Sequence, residues 1–449
     1  MLKSITKVFS VIIIISLSLN LNNCSSKKKR KKIYGFVTVD GLNLRNNVRG
    51  KIVAQLRAGE KITVLTRTEK KHVVNKMKDY WYQISTSRGK VGWVFAGYIE
   101  LQGEKNRKKK LRLIKKGNYQ DFNHYLYVAN ENSDTVGIYR IGTDGKLTFI
   151  KNQRALKKPV SVTAHPYLNY IYVLEFTRII TYKIKPNGTL EPIGTLKTGV
   201  GGKIIKAHPN GKYVYATSAN PMINIGMYKV MSDGRLRGMG DVFTFKKPVN
   251  FDITPDGRNA YFYDRKKKNK ILKFRIAISG KLKSKGETDI SPGKFNGALQ
   301  VSPDGEKLFV ANVPDKSLII FNINPDGDLK EAGKIEKVDY PGDLLFNDKG
   351  DRLYITHKNT GLISIYSSDK EKIYKKAGEI KQGKKPEDMV LHQSGNFLFV
   401  TNKTANKIYV YKITASGIEK IQEIAAGIKP ESLCIGRIKK PGKPKSAAK

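Results

Sequence analysis

The sequence predicts an all-β chain, a small strand barrel followed by a seven-bladed β-propeller whose C-terminal strand closes the first blade. Three observations carry this. Short alternating apolar runs separated by turn residues fill most of the 449 residues. One phrase, clearest from Ser302-Pro-Asp-Gly305 to Leu329, returns in six looser copies whose equivalent turns lie 43 to 48 residues apart. The repeat region also begins and ends on fractions of a unit.

Taken in order, residues 1–23 have the layout of a signal peptide. Lys3 and Lys7 precede an apolar run from Val8 to Leu21, short for a spanning helix. The stretch Leu21-Asn-Asn-Cys24 resembles a lipoprotein processing site, with Asn23 where a small residue is usual. That resemblance implies lipidation of Cys24, a membrane anchor and a place in the cell envelope; cleavage elsewhere and an uncleaved anchor are the rival readings. Residues 24–32 form a basic tether. Cys434, in the apolar string Ser432-Leu-Cys-Ile435, reads as a buried core thiol, and with Cys24 lipidated no disulfide is expected.

Residues 33–101 alternate as a small barrel does. The segments Leu42-Asn-Leu-Arg45, Trp81-Tyr-Gln-Ile84 and Gly89-Lys-Val-Gly-Trp-Val94 follow one another in an order that resembles the bacterial SH3 (SH3b) family. The resemblance implies binding to peptidoglycan or peptide. Tyr80, Trp81, Trp93 and Tyr98 are the candidate groove, against the alternative that the tryptophans fill the barrel core. Arg67 to Lys78 reads as a charged loop, and 102–118 as a basic linker.

Residues 119–436 hold the repeats. Each unit has a run before a Pro-Asp-Gly type turn, a run after it, a third run, and a fourth after a Gly-x-Leu turn such as Asp144-Gly-Lys-Leu147 or Asp233-Gly-Arg-Leu236. Four strands per unit is the pattern of a propeller blade, and Asp-Gly supplies the left-handed backbone that tight hairpins need. The first unit starts at Tyr125 without an inner strand, and Pro430-Glu-Ser-Leu-Cys-Ile435 supplies one. Closure of that kind removes exposed edges.

The motifs Tyr127-Val-Ala-Asn130, Ser302-Pro-Asp-Gly305, Phe309-Val-Ala-Asn312 and Phe399-Val-Thr-Asn402 resemble the seven-bladed lactonase family, related to propeller-type 6-phosphogluconolactonase, and the YVTN-repeat surface proteins. The lactonase resemblance implies an Arg-His pair at the start of an inner strand. The equivalent positions here read Pro159-Val-Ser161, Gly202-Lys-Ile204, Pro248-Val-Asn250, Asn296-Gly-Ala298, Pro341-Gly-Asp343, Pro386-Glu-Asp388 and Pro430-Glu-Ser432, with no such pair. No catalytic residue is therefore assigned and no metal ligand set is readable. His165 and His208 read as turn residues; His72, His124, His357 and His392 have no partners at metal-ligand spacing.

Asp343, Glu387, Asp388, Glu431, Ser161, Asn250 and Lys203 form a candidate ligand site at the channel mouth. Oxygen ligands of this kind would suit a hard cation such as Ca²⁺ or an amine-bearing ligand; the plainer alternative is solvated carboxylates bonding backbone amides. The formal charge of +46, from 84 Lys and Arg against 38 Asp and Glu, speaks for solubility and attraction to polyanions rather than for one site. Basic runs lie at Lys27–Lys32, within 105–116 and in the tail 437–449. Finger spacing, basic-region heptads and RNP patterns are all absent, so nucleic acid is not an expected partner. The leading reading is a non-enzymatic envelope lipoprotein whose propeller binds a protein or acidic glycan. The alternatives are an exported lactone hydrolase with a rearranged site and a surface adhesin for acidic polymers.

Overall fold

The computed structural model describes residues 33–101 and 119–440 apart from 38–41, 49–50, 57–60, 69–71, 75–76, 80, 87–88, 96–98, 156, 200, 219–224, 243–247, 265–269, 291–297, 370, 384 and 415–416. The signal peptide, Cys24, the tether, the linker, the end of the basic tail, Tyr80 and Tyr98 thus lie outside the described residues. The chain divides into two units, 1–103 and 104–449.

In the first unit a seven-stranded sheet runs in the order Ile52–Leu56, Leu42–Arg45, Val91–Phe95, Trp81–Thr86, Lys61–Arg67, Ile33–Val37, Ile99–Leu101. Its core is Leu44, Leu56, Ile62, Tyr82, Ile84 and Val94. The segment expected to be a charged loop contains a short hairpin, His72–Val74 with Met77–Asp79.

The second unit is a ring of seven four-stranded antiparallel sheets. Blade 2 comprises Ser161–Ala164, Tyr170–Leu174, Arg178–Ile184 and Leu190–Lys197; blade 3 runs from Gly202 to Val242, blade 4 from Pro248 to Asp289, blade 5 from Leu299 to Ile335, blade 6 from Pro341 to Lys381 and blade 7 from Pro386 to Ala425. Blade 1 joins the chain ends: Phe122–Asn130, Thr135–Ile141 and Leu147–Arg154 take Pro430–Lys439 as their inner strand. Tyr127 pairs with Cys434 and Phe122 with Lys439, so the closing strand runs three residues beyond the expected boundary at 436. Each inner strand packs on the next around a closed circle.

Two series of inter-blade joints, one from blade 1 to blade 5 and one from blade 2 to blade 4, explain why the turn phrases recur. The second-strand tyrosine of one blade donates its hydroxyl to the turn glycine of the next: Tyr127 to the Gly188 carbonyl at 2.8 Å, Tyr172 to Gly234 at 3.2 Å, Tyr215 to Gly280 at 2.7 Å and Tyr261 to Gly327 at 2.9 Å. The first hairpin turns interlock likewise, His165 Nε2 meeting the Gly211 carbonyl and His208 Nε2 the Gly257 carbonyl, both at 2.8 Å. His165 and His208 are turn residues, as expected. In each blade the turns between strands one and two and between three and four share one face of the ring. The inner strands begin at the other face, called here the mouth.

Candidate functional site

Inner strands lie side by side without forming a continuous sheet, so their channel-side amides need other acceptors. The side chains at the expected mouth positions supply them. Ser161 Oγ accepts the Ile205 amide at 3.2 Å, Asp343 Oδ2 the Met389 amide at 3.2 Å, Asp388 Oδ2 the Leu433 amide at 2.9 Å, and Ser432 Oγ the Val162 amide at 3.4 Å. Two residues deeper, Asp252 Oδ2 accepts the Val301 amide at 2.8 Å and pairs with Lys206 Nζ at 3.0 Å. Every such bond runs from one blade to its successor. The expected alternative of carboxylates bonding amides holds for Asp343 and Asp388, with the amides belonging to the next blade and both carboxyls half-buried at the cavity wall.

These stitches surround a cavity of about 600 Å³. Ser161, Lys203, Asn250, Asp343, Glu387, Asp388 and Glu431, the seven residues expected at the mouth, all line it, together with Lys206, Thr163, Gln300 and Lys358. Neither histidine nor arginine is among the described lining residues.

The electrostatics divide the site into two layers. Asp343 and Asp388 converge on one donor, since the Met389 amide also reaches Asp388 Oδ1 at 3.0 Å. Each keeps a sliver of surface on the cavity, yet protein encloses both closely. Burial and the neighbouring Asp388 carboxylate raise the Asp343 carboxyl well above its ordinary range, with Lys206 opposing. Burial also raises Asp388, against the Leu433 amide and the Ser432 hydroxyl. Two carboxylates this close hold a proton between them more readily than either alone.

Above them the glutamates are paired. Lys358 binds Glu387 at 2.5 Å, Lys403 binds Glu431 at 2.5 Å, and Lys429 bridges Glu131 and Glu431. The acidic mouth expected from Glu387 and Glu431 is therefore a Lys–Glu belt. Lys358 and Lys403 sit in the turns between the second and third strands of blades 6 and 7, and Lys429 in the turn from blade 7 to blade 1; all three were missed because some of their partners lie 28 or more residues away. Among the described residues no group of three or more His, Cys, Asp and Glu is arranged to hold a metal ion.

Other expected residues separate from this site. Trp81 is buried against the Phe95 ring, 5.8 Å centre to centre, so it is a core residue rather than a groove wall; Trp93 is half-buried. Cys434 is buried between blades 1 and 2, and burial pushes its thiol far up. His357 is held by the Asp339 carbonyl and Ser364. His124 and His392, which have no partners at metal-ligand spacing in the sequence, have ring centres 4.6 Å apart across the seam of blades 1 and 7.

Comparison with known proteins agrees with both units. Residues 40–100 match the bacterial SH3 domain, and residues 285–374 match the lactonase 7-bladed beta-propeller. A 6-phosphogluconolactonase of Erwinia tasmaniensis is 25% identical over 221 residues, 45% of this chain and 64% of the relative. The chain thus spans less than two thirds of that relative's length. A putative 6-phosphogluconolactonase from Bacteroides uniformis superposes with a TM-score of 0.63 at 18% identity, covering 71% of this chain and 100% of the other. The periplasmic gluconolactonase of Pseudomonas aeruginosa does so with a TM-score of 0.61 at 17% identity, covering 70% and 99%. At these identities the likeness is one of fold. The chain joins a bacterial SH3 domain to a seven-bladed β-propeller similar to that of the lactonases.

Proposed function

We propose that this chain is a lipid-anchored protein of the cell envelope, in which Cys24 carries the anchor, the SH3 domain docks on wall material, and the propeller binds a small polar ligand in its central cavity. The observation that carries the binding reading is the lining of that cavity. Lys203 and Lys206 offer cationic donors, Ser161, Thr163, Asn250 and Gln300 offer neutral donors and acceptors, and Asp343 with Asp388 offers a proton-sharing pair. Such a set suits a molecule bearing several hydroxyls and an anionic group. Calorimetric titration with 6-phosphogluconate tests it: binding in the micromolar to millimolar range that Lys206→Met abolishes is expected, and no heat at millimolar ligand overturns it. The anchor is tested separately. Globomycin should block processing, and Cys24→Ala should release the protein from the membrane fraction.

Hydrolysis of a lactone in the same cavity is the second reading, favoured by the Asp343–Asp388 pair. A carboxylate beside a carboxylic acid can activate water and protonate a leaving oxygen. The 6-phosphogluconolactonase likeness supports this reading. Turnover of a δ-lactone that falls at least a hundredfold in Asp388→Asn is its expected result. Turnover indifferent to that change sinks it.

A further inference from the structure

Nine non-glycine residues in the described part of the chain have positive φ: Asp134, Lys158, Lys316, Lys337, Tyr340, Lys372, Lys385, Asn406 and Lys429. Six of them are lysines, although this backbone region penalises any Cβ and natively falls to Gly, Asn or Asp. Five of the six, Lys158, Lys316, Lys337, Lys385 and Lys429, lie on the mouth face. The sixth, Lys372, lies on the opposite face and is tied to Asp304 and Glu306.

Three of the five occupy one structural position, the residue just before the proline that leads into the inner strand. In blades 2, 7 and 1 it is Lys158, Lys385 and Lys429, with φ of 45°, 61° and 60°; in blade 6 it is Tyr340; in blade 3 it is Gly201, with φ of 82°. Gly201 shows what the fold alone would take there. The backbones of the lysines are pinned in place, Lys158 N–H by Asp134 Oδ1 at 2.6 Å, Lys429 N–H by Asn406 Oδ1 at 2.8 Å and Lys385 N–H by the Lys358 carbonyl at 3.1 Å. Lys158 and Lys385 are exposed and make no ion pair among the described residues, whereas Lys429 joins the Lys–Glu belt. Strained positions kept with a costly residue cluster where function requires them.

The same face carries large exposed aromatics, Tyr340 at 43% and Phe176 at 41%. Turns on both faces balance charges locally, Asp233 with Arg235 at 3.0 Å and Asp304 and Glu306 with Lys372 on the opposite face, Lys316 with Asp339 at 3.3 Å on the mouth face; Lys158, Lys337 and Lys385 are exposed there without an ion pair among the described residues. We propose that the mouth face is a docking surface for an anionic glycan, with Lys158, Lys337 and Lys385 taking sulfate, phosphate or carboxylate groups and Tyr340 and Phe176 packing on sugar rings. A flat aromatic face suits the C–H side of a sugar, which a purely charged polymer does not offer. The surface is separate from the central cavity, so it stands or falls independently of the ligand assigned there.

The test titrates the full chain with heparin, as the sulfated glycan probe, at low and physiological salt. Lys158→Gly with Lys385→Gly should weaken binding roughly tenfold or more at low salt, since each lysine at an anionic surface contributes about a factor of five. Because Gly relieves the positive φ, the melting temperature should stay level or rise. Lys158→Arg with Lys385→Arg should retain binding. Lys146→Gln with Lys212→Gln, which removes the same charge from the opposite face, should change it less than twofold. An equal loss in that control pair, or a fall in melting temperature in the Gly pair, overturns the proposal. So does poly-glutamate binding as tightly as heparin, or retention on phosphatidylglycerol vesicles in place of heparin.

Discussion

The imidazoles of His124 and His392 meet edge to face with their centres 4.6 Å apart, where the first blade's strand Phe122–Asn130 adjoins the hairpin turn of the last. Burial, aided by His124, holds His392 down at about 4, and burial lowers His124, His165, His208 and His357 as well. An unfolded histidine titrates near 6.5. Between that value and the folded one, the unfolded chain binds more protons than the folded one. Stability is therefore complete above about pH 6.5 and is lost as pH falls toward 4.

Urea melts at pH 7 and pH 5 measure this directly. His392→Gln should flatten the decline between those two pH values by about 1 kcal/mol, after allowing for its partial solvent access. An unchanged slope would remove His392 from the account.

The aspartate pair acts in the opposite sense. A carboxyl raised in the folded state favours folding at low pH and opposes it as pH climbs through the raised value. Asp343→Asn keeps an oxygen for the Met389 amide and removes one charge. It should raise stability by about 1–2 kcal/mol at pH 8, an advantage that shrinks at pH 5. Asp343→Ala loses the bond between blades 6 and 7 and leaves the Met389 amide to Asp388 alone, so it should be less stable than Asp343→Asn at both values.

The tyrosine–glycine joints predict an asymmetry. Tyr215→Phe deletes the hydroxyl that reaches the Gly280 carbonyl and should cost about 1 kcal/mol. Gly280→Ala should cost more, about 2–4 kcal/mol, because φ is +80° and the new methyl would lie 2.4 Å from the Tyr213 ring. Paired melting temperatures rank the two.

Ending the chain at Lys429 removes the strand Pro430–Lys439 and uncovers the length of Phe122–Asn130 that it pairs with. The expected product has no cooperative melt and aggregates through that bare edge. A soluble truncation with a sharp transition would mean that the ring does not need its clasp.

Blades, turns and closure were legible in the sequence because each is written locally: strand alternation with period two, Asp-Gly where φ must be positive, and a half-unit at each end. The seven mouth residues were legible too, since equivalent positions in equivalent blades reach the same cavity. Their partners were not. Nothing in Pro341-Gly-Asp343 says that its carboxyl would take the amide of Met389, 46 residues on, or share it with Asp388. His124 and His392 are 268 positions apart in the chain and touch only because the ring shuts.

Sequence by itself determined that this chain makes a small barrel and seven sheets, because strand pairing and hairpin geometry depend on neighbours a few residues away. Only the tertiary structure decided that the mouth carboxylates stitch one blade to the next, that Glu387 and Glu431 are neutralised by lysines, and that Trp81 is interior. Those outcomes depend on how far the ring rotates from each blade to its successor, a distance that no local run of residues encodes.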